Sequence, residues 1–527
     1  MGKAIIFLLL ISCFVTGKIS ATNYYTGPSR TYKSPADVRN ILNPGDTVFV
    51  DGNAVYNGDI HFSRPGSAAQ RIVIKGIRIN NNRPVIEGGT NNVAFINGAD
   101  HYTFEGFEIR NASFRGIYHQ SDDLILRDLL IHHCNNGIMG ADGGSGSLLL
   151  EYTEIFACGS GDRAHQIYMA TNEEDHPGSV FRMQFCYIHD GAGGNNVKSR
   201  AERNEIYYNW IEGAFYHELE LIGPDPDGEV PADLKREDSD VTGNVLISGG
   251  FYVTRIGGDG TGETFGRYRF VNNTILMEDN AVFRIFDGIE SVEMHNNIII
   301  CLAGGNYPIL RQAEAGWKNG EQISGSNNYL ENGLTDVPDQ WTGTITGSEE
   351  VFADLDNNNL FPAPGSLIIN QANPAPVSET GFEFINPLFP PVYLPPSGAA
   401  VSIGAESLRA IDEKIDIGAF EFQSSSGIAI SGRSSSEFAL AQNYPNPFNP
   451  ITNIEFRIPN NEFVTLKIFD ILGREVVTLV NKTMPAGRHT IQWNGKNARG
   501  QAMESGVFFY QFSTENYCKT GKMILVK

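Results

Sequence analysis

A short β-type run recurs along the middle of the chain at nearly constant spacing. The successive starts lie 22, 24, 33, 23, 35, 29 and 24 residues apart. The runs begin at Phe107, Leu129, Thr153, Cys186, Asn209, Asn244, Asn273 and Asn297. A step of 22–24 residues is too short for a propeller blade, and segments with helical periodicity are almost absent. The pattern predicts a right-handed parallel β-helix over residues 22–422, in which each coil buries its inward residues on those of the next coil.

Four of these runs begin with asparagine, at positions 209, 244, 273 and 297. In a β-helix, equivalent residues of neighbouring coils stack, so the four amides are expected to form a ladder of hydrogen bonds. The alternative is that they are turn asparagines, which tolerate a left-handed backbone. Both interpretations are compatible with the same fold.

A second column of strands precedes each run and carries residues suited to chemistry. Because strand side chains alternate between faces, Ile138, Ile167 and Val197 are expected inside and their neighbours outside. The predicted outward column is Tyr118, Met139, Tyr168, Lys198, Glu220, Thr254 and Arg284. Gln166, Asn196 and Glu218 are predicted along one edge of this column, and Arg200 along the other. Two long insertions, 171–179 and 223–240, border it and predict a cleft.

The ends of the chain indicate export. Lys3 is followed by an apolar run from Ala4 to Val15 and by small residues up to Ala21, which predicts a signal peptide over 1–21. A lipoprotein-type cleavage site before Cys13 is the alternative. No other stretch approaches the roughly 20 apolar residues of a membrane span. With 39 basic and 61 acidic residues, a net charge of −22, the composition argues against nucleic acid as a partner.

The last part of the chain has a different character. Residues 423–438 are rich in Ser and Gly and predict a linker. Residues 439–527 contain short alternating runs separated by turn residues, which predict a small immunoglobulin-like β-sandwich. This segment, with 443–450 (NYPNPFNP), 472–476 (LGREV) and 505–510 (SGVFFY), resembles the C-terminal sorting domains of bacterial type IX secretion. The resemblance implies passage across the outer membrane by the type IX machinery, followed by release or surface attachment.

The segment from Asn196 to Asn209 contains Lys198-Ser199 and resembles the Lys-Ser segment of chondroitinase-B-like and alginate lyases. The resemblance implies a polysaccharide substrate, with Lys198 as the Brønsted base. Those enzymes carry a Glu-x-Glu calcium pair five and seven residues before the lysine, whereas this chain has Gly193 and Gly191 there. The arginine that serves as the acid in that family has no clean match.

A lyase acting on a uronic-acid chain must neutralise a carboxylate, remove the adjacent proton and protonate the leaving oxygen. Lys198 is the candidate base and Arg200 the candidate carboxylate clamp, because guanidinium makes paired hydrogen bonds. Tyr168 and His165 are candidate acids, although His165 is expected to face inward. The candidate substrate contacts are Asn196, Arg203, Glu220, Arg255 and Arg284. The alternative is that Lys198 and Glu220 form only an ion pair, that Arg200 and Arg203 only tie turns together, and that the chain binds glycans or lies at the cell surface without catalysis.

Calcium is the only cofactor that the sequence suggests. Glu218 and Glu220 form a Glu-x-Glu pair one coil after Lys198, and Asp225 and Asp227 follow in an acidic loop. Oxygen ligands at such density are able to hold Ca²⁺. The ligand spacing is irregular, so a solvated acidic loop is the alternative.

Overall fold

The structure is a computed structural model. It describes residues 21–140, 144–223, 237–258, 264–286, 288–312, 322–348, 350–423, 438–440, 443, 448, 450–458, 461–470, 474–485, 487–514 and 517–525. The predicted signal peptide, apart from Ala21, and the linker residues 424–437 lie outside these ranges. The described residues contain no helix with the length and hydropathy needed to cross a membrane.

Residues 22–350 wind into a right-handed parallel β-helix with three sheets. Sheet 1 consists of Asn23–Thr26, Thr47–Asp51, Ile72–Ile77, Tyr102–Glu105, Leu124–Arg127, Leu148–Glu151, Val180–Gln184, Arg203–Tyr207, Asp238–Thr242, Gly266–Val271, Ile289–His295, Gln322–Ser326 and Trp341–Thr342. Sheet 2 consists of Val55–Asn57, Val85–Glu87, Glu108–Arg110, Leu130–His132, Glu154–Phe156, Tyr187–His189, Trp210–Glu212, Val245–Ile247, Thr274–Met277, Ile298–Cys301, Tyr329–Glu331 and Ile345–Gly347. Sheet 3 consists of Ile60–Phe62, Asn91–Phe95, Arg115–His119, Asn136–Gly140, Ile167–Ala170, Val197–Arg200, Leu219–Ile222, Thr254–Gly257, Phe283–Ile285 and Leu310–Gln312. Two 3₁₀ turns occur at Pro35–Asp37 and Leu355–Asn357.

The two strand columns found in the sequence are sheets 2 and 3, and the prediction missed sheet 1. In most coils the strand of sheet 1 ends only about two residues before the strand of sheet 2 begins. An example is Tyr102–Glu105, which is followed by Glu108–Arg110. In the sequence, both strands therefore merge into one apolar run. The coil step was nevertheless correct, because each coil contributes one strand to each sheet.

The core is a set of stacked aliphatic side chains. In sheet 2, Ile109, Ile131 and Ile155 pair in register and are fully buried. In sheet 3, Ile138 pairs with Ile167, which pairs with Val197, as predicted. Each such side chain contributes roughly 2 kcal/mol relative to an exposed one, so repetition over many coils builds a long continuous core.

The asparagine ladder is confirmed. The Nδ2 of Asn209 donates to Asn244, that of Asn244 to Asn273, and that of Asn273 to Asn297, each at 3.0 Å. The ladder continues one coil further to Asn328, also at 3.0 Å. Left-handed backbone occurs at the preceding residue in these coils, with φ of 52° at Asn272, 60° at Asn296 and 52° at Asn327. Both roles considered for these asparagines therefore occur, at neighbouring positions. The first residue of each run forms the ladder, and the residue before it has the left-handed backbone.

Residues 350–423 pack along the outer faces of sheet 2 and sheet 1. Ile417 and Phe420 are buried against Trp210, Val245 and Leu276. The backbone N of Ala419 donates to the hydroxyl of Thr274 at 3.1 Å. A short antiparallel pair, Phe352–Asp354 with Asn359–Pro362, begins this segment. The segment therefore covers apolar side chains that sheet 2 presents outward.

The C-terminal compact unit covers 425–527, and its described strands form an immunoglobulin-like pair of antiparallel sheets. One sheet consists of Ala439–Leu440, Thr452–Ile458 and Gly487–Trp493. The other consists of Glu475–Met484, Glu462–Asp470, Gly506–Ser513 and Cys518–Leu525. Alternating side chains such as Val464, Leu466 and Ile468 are fully buried between them. The predicted small β-sandwich is confirmed.

Candidate functional site

The candidate site is a column of outward side chains on sheet 3. Strand pairing places Tyr168 next to Lys198, Lys198 next to Glu220, and Glu220 next to Arg255. Arg284 and Arg311 continue the same column. Strands in a sheet lie about 4.8 Å apart, so consecutive members are within reach of one another. The sequence predicts this column correctly from Tyr118 to Glu220 and at Arg284.

The predicted outward position of Thr254 is wrong. Thr254 pairs with Leu219 and Phe283 on the inner face and is fully buried, while its neighbour Arg255 faces outward. The strand begins at Thr254, and the step of 35 residues from Asn209 to Asn244 also leads from Glu220 to Arg255. Arg255 therefore adds a positive charge to the column.

Glu220 lies between two cations. Its Oε2 is 3.7 Å from the Nζ of Lys198, and its Oε1 accepts from Arg255. The amide of Asn195 also donates to Oε2 at 2.5 Å. Burial acts to raise the pKa of Glu220, but Lys198 and then Arg255 outweigh it and leave the pKa below its ordinary value. The carboxylate is therefore ionised at neutral pH.

Arg200 does not have the exposed position predicted for a carboxylate clamp. Only 4% of the residue is exposed. Its Nε donates to the hydroxyl of Tyr168 at 3.1 Å, and its guanidinium also donates to the carbonyl oxygen of Gly223. Arg200 thus lies under the surface and holds the phenol oxygen of Tyr168. The ammonium of Lys198 lies 4.7 Å from the centre of the same ring.

His165 is buried, as expected from its place beside the strand. Its Nδ1 accepts a hydrogen bond from the backbone N of Asn195 at 2.9 Å, and its ring lies edge-on to Tyr168 with centroids 5.4 Å apart. Burial and then the charge of Lys198 lower the pKa of His165 to about 4. The imidazole is neutral at pH 7, with the proton on Nε2.

Asn196 and Glu218 belong to a buried turn, which contradicts their predicted contacts with substrate and metal. Both residues are fully buried. Gln166 donates to Asn196 at 2.7 Å, and Asn196 donates to Glu218 Oε2 at 2.6 Å. The other oxygen of Glu218 accepts from the backbone N of Ala214 and of Gly249. Burial raises the pKa of Glu218 to about 8 against these hydrogen bonds.

Arg203 lies on sheet 1 and not in the column, so the prediction of a substrate contact there is wrong. Its Nε donates to Glu205 at 2.8 Å, and its terminal nitrogens donate to the carbonyls of Ile385 and Asn386. Arg203 therefore ties the segment 384–386 to sheet 1. These partners lie 182 and 183 residues further along the chain, so no local sequence pattern indicates them.

The calcium ligands are only partly described. Asp225 and Asp227 lie outside the described residues. Glu220 is engaged by Lys198, Arg255 and Asn195. Within the described ranges, no three His, Cys, Asp or Glu side chains come together as a metal site. Glu218 and Glu220 do not form a calcium pair in this arrangement, since the oxygens of Glu218 accept from Asn196 and from the backbone of Ala214 and Gly249 in the buried turn.

Two insertions connect strands of sheet 3 to the following strands of sheet 1. The first, 171–179, is tied to the turn after Arg200. The backbone N of Glu202 donates to the hydroxyl of Thr171 at 2.8 Å, and Gly178 donates to the carboxylate of Glu202 at 2.6 Å. Most of the second, 224–236, lies outside the described residues.

Sequence analysis missed three residues that the structure brings to the site. Asn195 links His165, His217 and Glu220 through its backbone and side chain. Burial lowers the pKa of His217 to about 4. Arg311 follows Arg284 by 27 residues, so extending the coil step by one would have found it. Asn195 and His217 lie in turns, where no alternation indicates the direction of a side chain.

Comparison with known proteins identifies likenesses in both parts of the chain. Residues 452–517 match the family model of the FlgD Ig-like domain. No curated protein matches the sequence.

Several solved structures are similar to the chain. The pectate lyase Pel9A has 12% identity and a TM-score of 0.44, over 77% of this chain and 98% of that one. XylC in complex with xylose has 10% identity and a TM-score of 0.42, over 89% and 100%. The PL6 family polysaccharide lyase Pedsa3628 from Pseudopedobacter saltans has 12% and 0.35, over 62% and 92%.

Proposed function

We propose that the chain is a lyase that cleaves uronic-acid-containing polysaccharides by β-elimination. In this reaction a base removes the proton next to the carboxylate, a double bond forms, and the bond to the leaving oxygen breaks. Lys198 accepts the proton, and the phenol of Tyr168 donates one to the leaving oxygen. Arg255 offsets the charge of the substrate carboxylate. Arg200 is a positioning residue, because it acts through Tyr168.

The observation that carries this proposal is the register of the column. Tyr168, Lys198, Glu220 and Arg255 occupy equivalent positions on consecutive strands, so an acid, a base and a cation face the same solvent. The hydrogen bond from Arg200 to Tyr168 supports the role of the phenol, because a fixed cation stabilises negative charge that develops on that oxygen. Lys198 must release its own proton before it accepts one from the sugar.

A noncatalytic glycan-binding protein is the second candidate. The ionised Glu220 beside Lys198 favours the ammonium form of the lysine, which binds carboxylates but does not accept protons. The two candidates differ in one outcome. A lyase produces unsaturated products that depend on Lys198, whereas a binding protein retains its ligand and produces none.

The experiment is an absorbance screen for unsaturated uronides with alginate, pectate, chondroitin and glucuronan. We expect at least one substrate to give a rising signal and Lys198→Ala to remove it. Binding of the same polymers is measured in parallel by affinity electrophoresis. Binding without absorbance by the wild type supports the noncatalytic candidate.

Calcium remains a proposal for the acidic loop that contains Asp225 and Asp227. Turnover or glycan binding is measured after treatment with a chelator and again after addition of Ca²⁺. A loss that Ca²⁺ restores supports the site. Unchanged behaviour contradicts it.

We also propose that the protein is exported and then released or attached to the outer surface. The proposal is supported by the signal-peptide pattern and by the resemblance of 439–527 to type IX sorting domains. Mass spectrometry of the protein from culture medium and from the cell surface tests it. We expect loss of residues near 1–21 and cleavage within the serine-rich linker. Soluble protein in the medium that retains 439–527 contradicts the cleavage.

A further inference from the structure

A group of aromatic side chains lies beside the column, in the turns that precede two strands of sheet 3. Phe215 and Tyr216 have ring centroids 5.0 Å apart, Tyr216 and Phe251 are 5.6 Å apart, and Phe251 and Tyr252 are 4.7 Å apart. Phe215 is 54% exposed. A continuous run of large rings that reaches the surface at its end is a typical feature of a binding site.

The aromatic run continues directly into the arginines of the column. Arg255, Arg284 and Arg311 are paired in register on consecutive strands. Tyr252 lies beneath the last two, with its ring centre 5.6 Å from the guanidinium carbon of Arg284 and 5.3 Å from that of Arg311. Phe286 lies beneath the first two, at 4.3 Å from Arg255 and 4.8 Å from Arg284. We call Phe215, Tyr216, Phe251, Tyr252, Arg284 and Arg311 the aromatic–arginine patch.

Of the three stacked arginines, Arg255 is paired with Glu220, while Arg284 and Arg311 lie on neighbouring strands about 4.8 Å apart and repel each other. Cation–π contact with Tyr252 and Phe286 offsets part of this repulsion, and an anion placed across the arginines offsets more. The whole chain carries a net charge of −22, so this local positive surface is opposite in sign to the rest of the molecule. Charge complementarity therefore selects an acidic ligand.

We propose that the aromatic–arginine patch is a remote subsite that binds uronate residues of the same acidic glycan chain whose cleavage point lies at Lys198. The C–H face of one sugar ring packs on Phe215, and the carboxylate of another uronate of the chain contacts Arg284 and Arg311. Arg311 lies four strand steps from Lys198, roughly 19 Å at about 4.8 Å per step. A single sugar does not span both places, so the patch distinguishes long chains from short ones. This inference rests on the proposed function for the location of the cleavage point.

The test uses the full chain and the variants Phe215→Ala and Arg311→Ala. Phe463→Ala is the matched control for the first variant, because Phe463 is also 54% exposed and lies in the C-terminal unit. Arg499→Ala, an exposed arginine of that unit, is the control for the second. Affinity electrophoresis measures binding to long polyuronates, to di- and trisaccharides of the same uronic acid, and to neutral xylan.

We expect each patch variant to weaken binding of the long polyuronate roughly tenfold, a change of about 1.4 kcal/mol. Binding of the short oligosaccharides and both control variants should match the wild type. Equal binding of long chains by wild type and Phe215→Ala, or no binding of any polyuronate by the wild type, overturns the subsite. If only Phe215→Ala weakens binding, and the wild type binds neutral xylan as tightly as the polyuronate, the preference for acidic chains is overturned.

The outcome is separable from that of the proposed function. Weaker binding in the patch variants of a protein that produces no unsaturated uronide supports the subsite and contradicts the lyase. Turnover of long chains that is unaffected in both patch variants supports the lyase and contradicts the subsite.

Discussion

The Nζ of Lys198 lies 3.7 Å from Oε2 of Glu220, on the neighbouring strand of the same sheet. Arg255 holds the other carboxylate oxygen from the following strand. The Glu220 side chain is only 7% exposed, so the carboxylate is more deeply buried than either cation. Glu220 therefore fixes the spacing of the two cations that the proposed reaction requires.

We expect Glu220→Gln to lower the free energy of unfolding by about 2–3 kcal/mol at pH 7, because it leaves two partly buried cations without their counter-charge. The folded-state pKa of Glu220 is below its ordinary value. Its ionised form therefore contributes stability above about pH 4.3, the unfolded value, and loses it as the pH falls through the folded-state pKa. Urea denaturation at pH 7 and near pH 3 measures the difference between wild type and variant.

The matched control is Glu174→Gln, which removes an exposed carboxylate in the insertion 171–179. Its effect should stay within about 0.5 kcal/mol at both pH values. A Glu220→Gln penalty that persists unchanged at pH 3 would show that packing, and not charge, accounts for the loss.

Arg200 and Arg203 are close in sequence, but Arg200 contacts Tyr168 in the column and Arg203 contacts the segment 384–386. Arg203 therefore serves as the matched control for Arg200. Arg200→Ala removes the donor to the Tyr168 hydroxyl and should lower kcat roughly 10–100-fold with little change in KM, less than loss of the acid itself. Arg200→Lys keeps the charge and should restore part of kcat. Arg203→Ala should leave both constants unchanged, since Arg203 binds the segment 384–386.

Steady-state kinetics on a confirmed substrate measure kcat and KM for the Arg200 and Arg203 variants. Wild-type kcat in Arg200→Ala contradicts the positioning role. An equal loss in both variants indicates a general defect in folding and not a role for Arg200 in the site.

The fold was predictable because each coil of a β-helix repeats the same pattern of buried residues. Ile131, Ile155 and Ile188 recur at the coil step and stack as expected. Sheet 1 was missed because Tyr102–Glu105 and Glu108–Arg110 are separated by so short a turn. The prediction at Thr254 was wrong by one residue, because the apolar Val253 resembles an inward strand residue although the strand begins after it.

The site was predictable only where strand alternation fixes the direction of a side chain. Lys198 and Glu220 follow from alternation, and they pair across the coils as expected. Arg200 shares that face, yet its burial depends on the carbonyl of Gly223 and the phenol of Tyr168, which belong to neighbouring coils. Sequence spacing contains no information on how deeply a neighbouring loop covers a residue.

The asparagine ladder provides a test of the fold that does not depend on activity. Asn273 accepts from the backbone and side chain of Asn244 and donates to Asn297 and to the carbonyl of Val241. Asn273→Ala leaves these buried groups without partners, which should lower the free energy of unfolding by about 2–4 kcal/mol. Asn332→Ala, at an exposed position, should change it by less than about 0.5 kcal/mol. Chemical denaturation measures both, and equal stability of the two variants contradicts a role of the ladder in stability.

The decisive variants for the proposed reaction are Lys198→Ala and Lys198→Arg. Lys198→Ala should reduce kcat by roughly 10²–10⁴-fold, since it removes the general base, while glycan binding stays close to that of the wild type. Its free energy of unfolding should fall by only about 1 kcal/mol, because Glu220 keeps Arg255 and Asn195 as partners.

Lys198→Arg separates the base from the ion pair. The guanidinium stays charged at all accessible pH values, so it preserves the contact with Glu220 but accepts no proton. We expect stability like that of the wild type together with the same loss of turnover as in Lys198→Ala. Turnover by Lys198→Arg at the wild-type rate would falsify Lys198 as the base. Unfolding of Lys198→Ala, with normal stability of Lys198→Arg, would instead assign Lys198 to the ion pair and favour the noncatalytic glycan-binding protein.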